Sequence, residues 1–370
     1  MNVLLVIDAL NSGGAQRQIV NLAIELKRTN HNVSLLYYNN GDHYKNILSE
    51  SNVPIIQLSK GGKMGMLKFL KQLHQVIKQN QFDIVCAYLF LPSLFVLMSK
   101  VIFRGKHKLI LSERTFEGNV TKFHKNVTRK LYKKAYCVVP NSKHQSIQLK
   151  KFFPKNPKIE YIPNGINDQQ FSYNPKIKSN EKIKVLCIGR VSQIKNTKVV
   201  IKALKLLKEQ NVPYITVEWV GANFIKQDLI TEYSKECITL LEESNLNENW
   251  KWGGVRKDVA EYMSQFDLLV HPSLGEGFPN VIGEGMAKGI FVIASDVFDH
   301  SLLIEPNKTG LLFNPNSEKE LSETILNFIN LSKESQNQMV KNAREKVVRE
   351  MSVQKLGERY SNLFKQALEQ

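Results

Sequence analysis

The chain has 370 residues, a formal net charge of +17 and 42% hydrophobic residues, which suits two globular domains of ordinary size, each with its own core. The four cysteines form no C-x-x-C pair, which favours reduced thiols over disulfides or a metal site. The first residues lack the basic start and small-residue cleavage site of a secretory signal, and no stretch reaches about 18 apolar residues. These features predict a cytoplasmic protein without a spanning helix.

Apolar β-branched runs alternate with helical patterns along the whole chain, as in parallel sheets with crossover helices. In the first half the pattern predicts strands at residues 3–7, 32–37, 55–58, 84–87, 109–112, 137–139 and 159–162, with helices such as 16–27 and 64–79. In the second half it predicts strands at 184–188, 215–220, 250–252, 268–271 and 291–294, helices at 197–209, 259–265, 280–288 and 318–330, and two polar helices after residue 335.

The fold class predicted from this alternation is α/β, with two doubly wound, Rossmann-like domains facing a central cleft. We expect an N-terminal domain at residues 1–170, a polar linker at 171–182 and a C-terminal domain at 183–350. We expect the last segment, 351–370, to form a helix that packs back on the N-terminal domain. Ligand would bind where the carboxyl ends of the strands meet the cleft.

The positive charge lies almost entirely in the first half. Residues 1–170 hold 25 Lys and Arg against 9 Asp and Glu, a balance of +16, and the remaining 26 against 25 give +1. Such asymmetry indicates a polyanionic partner for the N-terminal domain, and an anionic membrane surface fits it best. Lysines that only confer solubility are the alternative. No basic motif interleaved with aromatics supports a nucleic-acid partner.

Three loops that follow predicted strands carry residues suited to an anionic ligand. Gly13 and Gly14 open a helix after the first strand, where the backbone can approach a ligand closely, although a tight structural turn would explain them equally well. Arg190 and Lys195 follow the first strand of the second domain, where their charges suit a diphosphate.

The third loop, residues 273–280, contains two glycines and a proline, and Glu276 lies on it. Glu284 follows one turn into the helix predicted from Asn280, where it can accept hydrogen bonds from ribose. A carboxylate near a helix start often only complements the helix dipole. Gly283 and Gly285 argue against that simple reading, because each costs a helix about 1 kcal/mol relative to alanine.

These motifs resemble family 4 of the retaining glycosyltransferases, which have the two-domain GT-B architecture. The resemblance covers nearly the whole chain, and its most specific parts are residues 271–273, Glu276 to Asn280, and Glu284 at the E-x7-E spacing. Residues 12–17, 162–167, 188–190, 195–196 and 253–256 also carry it. The form of the Glu276 loop is similar to that of bacterial enzymes that build O-antigen, capsule, lipopolysaccharide or exopolysaccharide.

The resemblance implies a role for each matching residue. The catalytic residues would be Glu276, which holds the sugar hydroxyls, and Arg190 and Lys195, which hold the donor diphosphate. Further donor contacts would come from the loop glycines, the base-binding loop, the backbone of the Glu276 loop and the ribose-binding carboxylate: Gly13, Gly14, Val255, Gly277, Phe278, Pro279, Asn280, Val281 and Glu284. No cofactor and no metal are expected, and the chain contains no D-x-D motif.

Three places in the chain depart from the family pattern or have an open role. Many relatives have a histidine after the strand at 83–85, near the donor sugar, where this chain has Tyr88 or Cys86. Arg114 ends the next strand and either binds an acceptor phosphate or forms a structural salt bridge. Where relatives carry a Gly-Gly and a further acid after residue 296, Asp299 or His300 could take over that contact.

The resemblance implies transfer, with retention, of a hexose or N-acetylhexosamine from an NDP-sugar, with UDP favoured over GDP. The acceptor would be a polyprenyl-diphosphate-linked saccharide, reached by an enzyme peripheral to the inner face of the cytoplasmic membrane. A GT-B UDP-sugar epimerase and a non-catalytic protein that binds nucleotide sugars or polyanions are the alternatives. The identities of sugar and acceptor do not follow from the sequence.

Overall fold

The structure is a computed structural model that describes residues 1–60, 65–114, 130–155, 157–175, 182–210, 212, 214–222 and 231–370. The chain divides into two units, the first comprising Met1–Gly165 with Val353–Gln370 and the second Ile166–Ser352. The division at Gly165 lies just before the predicted linker, of which residues 176–181 fall outside the described residues.

The first unit contains a parallel sheet whose described strands are β1 (Asn2–Val6), β2 (Asn32–Tyr37), β3 (Ile55–Gln57), β4 (Ile84–Tyr88), β5 (Lys108–Glu113), β6 (Cys137–Pro140) and β7 (Lys158–Ile159), in the order β3-β2-β1-β4-β5-β6-β7. The helices between them are α1 (Gly14–Arg28), α2 (Lys45–Glu50), α3 (Met66–Gln79), α4 (Phe90–Ile102) and α5 (Lys143–Phe152). The central strands are buried on both faces, as expected for a parallel sheet covered by helices.

The second unit repeats this plan with β8 (Lys182–Ile188), β9 (Tyr214–Val220), β10 (Trp250–Gly254), β11 (Leu268–His271), β12 (Phe291–Ser295) and β13 (Leu311–Phe313), in the order β10-β9-β8-β11-β12-β13. Its helices are α6 (Thr197–Lys208), α7 (Glu232–Glu243), α8 (Val259–Tyr262), α9 (Asn280–Lys288), α10 (His300–Leu303), α11 (Glu318–Asn330) and α12 (Lys333–Met351). The predicted α/β fold with two doubly wound parallel sheets is confirmed.

The last helix, α13 (Val353–Glu369), belongs to the first unit and packs against α1. Its apolar stripe, which includes Tyr360, Leu363 and Phe364, joins the core of that unit. The two helices approach closely at Gly357, where a Cβ would lie only 2.4 Å from Cγ of Glu25. The segment therefore completes one face of the first sheet.

Each sheet reverses its winding at one point, between β1 and β4 in the first unit and between β8 and β11 in the second. Loops that leave two neighbouring strands in opposite directions open a crevice at such a point, and ligands of doubly wound folds bind there. All four cysteines are buried and free, as the sequence predicts for reduced thiols.

Candidate functional site

The switch point of the second unit brings together the two loops predicted to bind the donor. β8 and β11 are hydrogen-bonded neighbours, and the loops that follow them carry Lys195 and Glu276 respectively. The Lys195 ammonium forms an ion pair with Oε1 of Glu276. These side chains are separated by 81 positions in sequence but meet because their strands are adjacent.

Two further groups hold the same carboxylate oxygen of Glu276. The Ser273 hydroxyl donates to Oε1 over 3.0 Å, and Nε2 of His271 lies 3.2 Å from it. Burial alone would raise the pKa of Glu276, but the hydrogen bond with His271 and the charge of Lys195 hold that pKa well below its usual range. Oε2 has no hydrogen-bond partner among the residues that the structure describes, so an ionised oxygen is available to a ligand.

Buried polar groups of β12 and α10 hold the backbone of the Glu276 loop in place. The Ser295 hydroxyl donates to the carbonyl of Ser273 over 2.6 Å, and Nδ1 of His300 lies 2.7 Å from the carbonyl of Ser295. The rings of His271 and His300 are 5.3 Å apart, and burial lowers the pKa of both, that of His300 to about 3. His271 is therefore neutral near pH 7 and donates to Glu276 through Nε2–H, the tautomer that the hydrogen-bond network assigns.

No role for His271, Ser273 or Ser295 follows from the sequence motifs alone. Their signal was the appearance of polar side chains at the carboxyl ends of strands that are otherwise apolar. His300, which was considered for a ligand contact, instead lies fully buried beneath the loop and fixes the backbone of Ser295.

The buried histidines make the stability of the second unit sensitive to acid. With a pKa near 3 in the folded state and about 6.5 when unfolded, His300 takes up a proton on unfolding at any pH between these values. The contribution of His300 to the free energy of unfolding is therefore fully present above pH 6.5 and is lost as the pH decreases. At pH 5 the loss from this one group is about 2 kcal/mol. The three tryptophans, Trp219, Trp250 and Trp252, all lie in the second unit, so urea unfolding followed by their fluorescence measures this loss.

The control for this prediction is His300→Gln, which keeps a polar group but removes the titration. We expect the fluorescence-detected loss of stability between pH 7 and pH 5 to shrink by about 2 kcal/mol in this variant. An unchanged loss would show that His300 does not stay neutral in the folded protein.

The loop after β8 is held from the neighbouring strand. Nε1–H of Trp219 donates to the carbonyl of Gly189 over 2.7 Å. A Cβ at Gly221 would lie 2.0 Å from the same carbonyl oxygen, so glycine is required for the loops after β8 and β9 to approach. Arg190 follows directly and is exposed, and its guanidinium has no hydrogen-bond or ion-pair partner in the described part of the chain. Its charge is therefore available to an anion.

The helix α9 begins at Asn280, as predicted, and ends at Lys288. Its N-cap, Pro279, contributes no side-chain cap, and its first turn contains no acidic residue. No acidic side chain of the first turn therefore offsets the positive end of the helix dipole, which favours an anionic ligand. The predicted contacts of Phe278 and Pro279 involve only backbone atoms, which agrees with the burial of both side chains.

Close packing accounts for both glycines of α9, contrary to the expectation from the sequence. A Cβ at Gly283 would lie 2.9 Å from Ile166, and one at Gly285 would lie 2.4 Å from Cδ2 of Leu269. The two glycines allow α9 to pack closely on β11 and on the chain entering the unit, so a structural requirement explains them. They are therefore no evidence that Glu284, which is itself buried, binds a ligand.

The remaining donor-side residues lie on two separate loops. β10 ends at Gly254, which has a φ of 64° and accepts a hydrogen bond from the Gly221 amide, and Val255 beyond it is exposed. In the first unit, Gly13 is the N-cap of α1 and Gly14 its first residue, again without a side-chain cap or an acidic residue in the first turn.

Arg114 occupies a polar cluster within the first unit. It donates from Nε to Ser112 over 2.7 Å and from Nη2 to Tyr360 over 3.0 Å, and Nη1 bonds to Asn164. Its guanidinium lies 4.5 Å from the ring centre of Tyr88. No carboxylate pairs with the guanidinium among the described residues, so they give no support to the salt-bridge alternative for Arg114.

Tyr88 has a different position from the one expected of an acceptor residue. Its side chain is fully buried between Arg114 and the core, with its ring stacked 6.3 Å from that of Tyr360. In this structure Tyr88 therefore supports Arg114 and presents no surface to a ligand.

Comparisons with known proteins concern the family and the fold of the chain. A family model described as "Glycosyl transferases group 1" matches residues 168–346, and one described as "Glycosyltransferase Family 4" matches residues 12–170. A Campylobacter jejuni protein named N-acetylgalactosamine-N,N'-diacetylbacillosaminyl-diphospho-undecaprenol 4-alpha-N-acetylgalactosaminyltransferase is 26% identical over 309 residues, covering 78% of this chain and 79% of its own.

Another Campylobacter jejuni protein, named as an alpha-1,4-N-acetyl-D-galactosaminyltransferase acting on a PP-undecaprenol-linked saccharide, is 23% identical over 359 residues, covering 94% of this chain and 93% of its own. Among solved structures, Anabaena HepE in complex with UDP superposes with a TM-score of 0.84 at 20% identity, over 99% of this chain and 100% of its own. A glycosyltransferase from Rickettsia africae superposes with a TM-score of 0.85 at 21% identity, over 99% of this chain and 98% of its own.

Proposed function

Because the chain belongs to the family 4 glycosyltransferases with the GT-B fold, we propose that it transfers a hexose or N-acetylhexosamine from a UDP-sugar to a saccharide carried on polyprenyl diphosphate. The product would be an intermediate of a bacterial surface polysaccharide. The observation that carries the proposal is the Lys195–Glu276 pair at the switch point of the second unit.

The geometry around this pair supports separate roles for the two residues. An ammonium group has three hydrogen-bond donors, and Glu276 uses only one of those on Lys195, which leaves two for diphosphate oxygens. The unoccupied Oε2 of Glu276 accepts hydrogen bonds from sugar hydroxyls. Arg190 and the uncapped first turn of α9 add positive potential to the same crevice.

This distribution of charge suits a reaction in which the leaving group is a nucleoside diphosphate. Charge that develops on the leaving oxygen is stabilised by Arg190 and Lys195, which are in place before the reaction. The proposed reaction proceeds with retention and without a metal ion. Glu276 then binds and orients the sugar rather than attacking it, in agreement with the three donors that fix its Oε1.

The acceptor side of the proposal rests on the first unit. Within the part of the chain that the structure describes, only neutral groups bond to the Arg114 guanidinium, and a phosphate of the acceptor would supply its counter-charge. The names of the Campylobacter jejuni relatives include diphospho-undecaprenol or PP-undecaprenol, which supports a lipid-linked acceptor here. An enzyme using such an acceptor would work as a peripheral protein at the inner face of the cytoplasmic membrane.

The test is isothermal titration calorimetry of the purified protein with UDP-, GDP- and dTDP-sugars. We expect a UDP-sugar to bind, and Arg190→Ala to weaken its binding about tenfold to a hundredfold, because hydrogen bonds to charged groups contribute about 1.5–3 kcal/mol. Arg349→Ala is the matched control, since Arg349 is an exposed arginine of the same unit that pairs with Glu350.

Two outcomes would overturn the proposal. Binding of none of the nucleotide sugars would exclude a transferase of this type. Binding of a UDP-sugar without acceptor-dependent release of UDP, tested with polyprenyl-diphosphate-linked saccharides in detergent, would favour the epimerase or the non-catalytic alternative.

A further inference from the structure

The helix α4 buries two serine hydroxyls together with part of its apolar side chains and leaves other apolar side chains exposed. The buried Ser93 hydroxyl donates to the carbonyl of Ala87 over 3.4 Å, and the buried Ser99 hydroxyl donates to the carbonyl of Leu70 over 3.0 Å. Lys100, the remaining polar residue of the helix, turns its ammonium back onto the carbonyl of Gly105 at 3.0 Å. None of these groups therefore covers the outer side of the helix.

The outer side of α4 is formed by Leu91, Leu94, Val101 and Ile102, with Met98, which also packs against the core, between them; we call this set the α4 face. Their spacing of three and four residues places them on one side of the helix. Leu91 and Val101 are each 49% exposed and Ile102 is 48% exposed. A helix on the surface of a globular protein ordinarily presents polar residues there, and a continuous apolar stripe marks a binding surface.

The surroundings of the α4 face are basic. The neighbouring helix α3, which packs against α4, adds Leu67 with 63% exposure and the exposed Lys68 and Lys71. Arg104 and Lys106 are exposed just after α4 ends. Residues 66–106 contain six Lys and Arg and one acid, Asp83, which accepts a hydrogen bond from the backbone amide of Asn2.

We infer that the α4 face is a docking surface for an anionic lipid bilayer. Its apolar side chains would enter the boundary between headgroups and acyl chains, and the flanking lysines and arginines would contact lipid phosphates. The 13 residues of α4 extend about 20 Å, less than the roughly 30 Å of a hydrocarbon core. None of the described helices is long and apolar enough to cross a membrane, so α4 lies along the surface.

Charge distinguishes a bilayer from a second copy of the chain as the occupant. In a twofold dimer the same patch faces itself, so Lys68, Lys71 and Arg104 would approach their own symmetry mates. No acidic residue of α3 or α4 is available to neutralise them. An anionic bilayer supplies that opposite charge and also accepts the apolar side chains.

This inference rests on the proposed function for its choice of partner, since a lipid-linked acceptor places the enzyme at a bilayer. It can nevertheless fail independently, because docking is measured on vesicles that contain neither donor nor acceptor. Transfer to an acceptor dissolved in detergent tests the proposed function without any bilayer.

The experiment is co-sedimentation of the full chain with vesicles of phosphatidylcholine, with and without phosphatidylglycerol. We expect binding to the anionic vesicles only, weakened by added salt, and a partition coefficient reduced at least about tenfold by the double substitution Val101→Ser and Ile102→Ser. Ile47→Ser on α2 is the matched control, because Ile47 is 46% exposed on the same unit. We expect it to bind vesicles as the wild type does.

The electrostatic part is tested with Lys68→Gln and Lys71→Gln together, which should also weaken binding about tenfold. The control pair, Lys205→Gln and Lys319→Gln, removes two exposed lysines of the second unit and should have no effect. The far-ultraviolet circular dichroism and thermal unfolding of every variant verify the fold. The inference would be overturned if the wild type did not bind vesicles or if the Val101/Ile102 variant bound them equally well. It would also be overturned if the wild type were a dimer and this variant a monomer.

Discussion

Replacing Glu276 with glutamine is expected to lower kcat/KM by about two to three orders of magnitude, as does removal of one preorganised group in other active sites. The amide cannot accept three hydrogen bonds on one oxygen as strongly as a carboxylate does, and it leaves the Lys195 ammonium without its counter-charge. Steady-state kinetics of UDP release with a lipid-linked acceptor measures this effect.

The chain contains a matched control for this substitution. Glu236 pairs with Lys198 in the same unit, at 2.5 Å, but both side chains are considerably more exposed than those of the Glu276 pair. Exposed ion pairs contribute about 0–1 kcal/mol, so Glu236→Gln should leave kcat/KM nearly unchanged. Similar losses in the two variants would contradict a specific role for Glu276.

Replacing Gly221 with alanine is expected to destabilise the second unit by about 3 kcal/mol. The new Cβ would lie 2.0 Å from the Gly189 carbonyl oxygen and 2.5 Å from its carbon, and these are backbone atoms that cannot rotate away. The displaced loop carries Arg190, so UDP-sugar binding should weaken as well. Urea unfolding followed by tryptophan fluorescence measures the loss of stability.

Ala222→Ser, one residue further along, is the control for Gly221→Ala. It adds a single heavy atom at a half-buried position and should change the free energy of unfolding by no more than about 0.5 kcal/mol. Wild-type stability of Gly221→Ala would mean that the loops after β8 and β9 do not approach as closely as the structure indicates.

Elements with a complete local signal were predicted almost to the residue. The helix Asn280–Lys288 has a proline before it and, after it, Gly289 in the left-handed conformation with a φ of 86°. Glu318–Asn330 starts after a serine whose hydroxyl caps the amide of Glu320. Both boundaries depend on residues within one turn, so they could be located from sequence alone.

Elements without a local signal were missed or misplaced. Strand β13, Leu311–Phe313, has only three residues and no β-branched residue, and it exists because it pairs with β12. The predicted helix at 259–265 is a short α-helix, Val259–Tyr262, continued by a 3-10 turn over Met263–Gln265. In both cases the surrounding packing determined the outcome.

The sequence by itself was sufficient to predict the fold class and most of the strands, and to propose two acidic and two basic residues for the donor, because periodicity and motif spacing are local properties. Only the tertiary structure showed that His271, Ser273 and Lys195 converge on one oxygen of Glu276, and that Asn164 and Tyr360 enclose Arg114 from distant parts of the chain. It also revealed that the polar residues of α4 point inward. These contacts follow from which strands are neighbours and which helix faces are covered, and that information is not contained in any single segment.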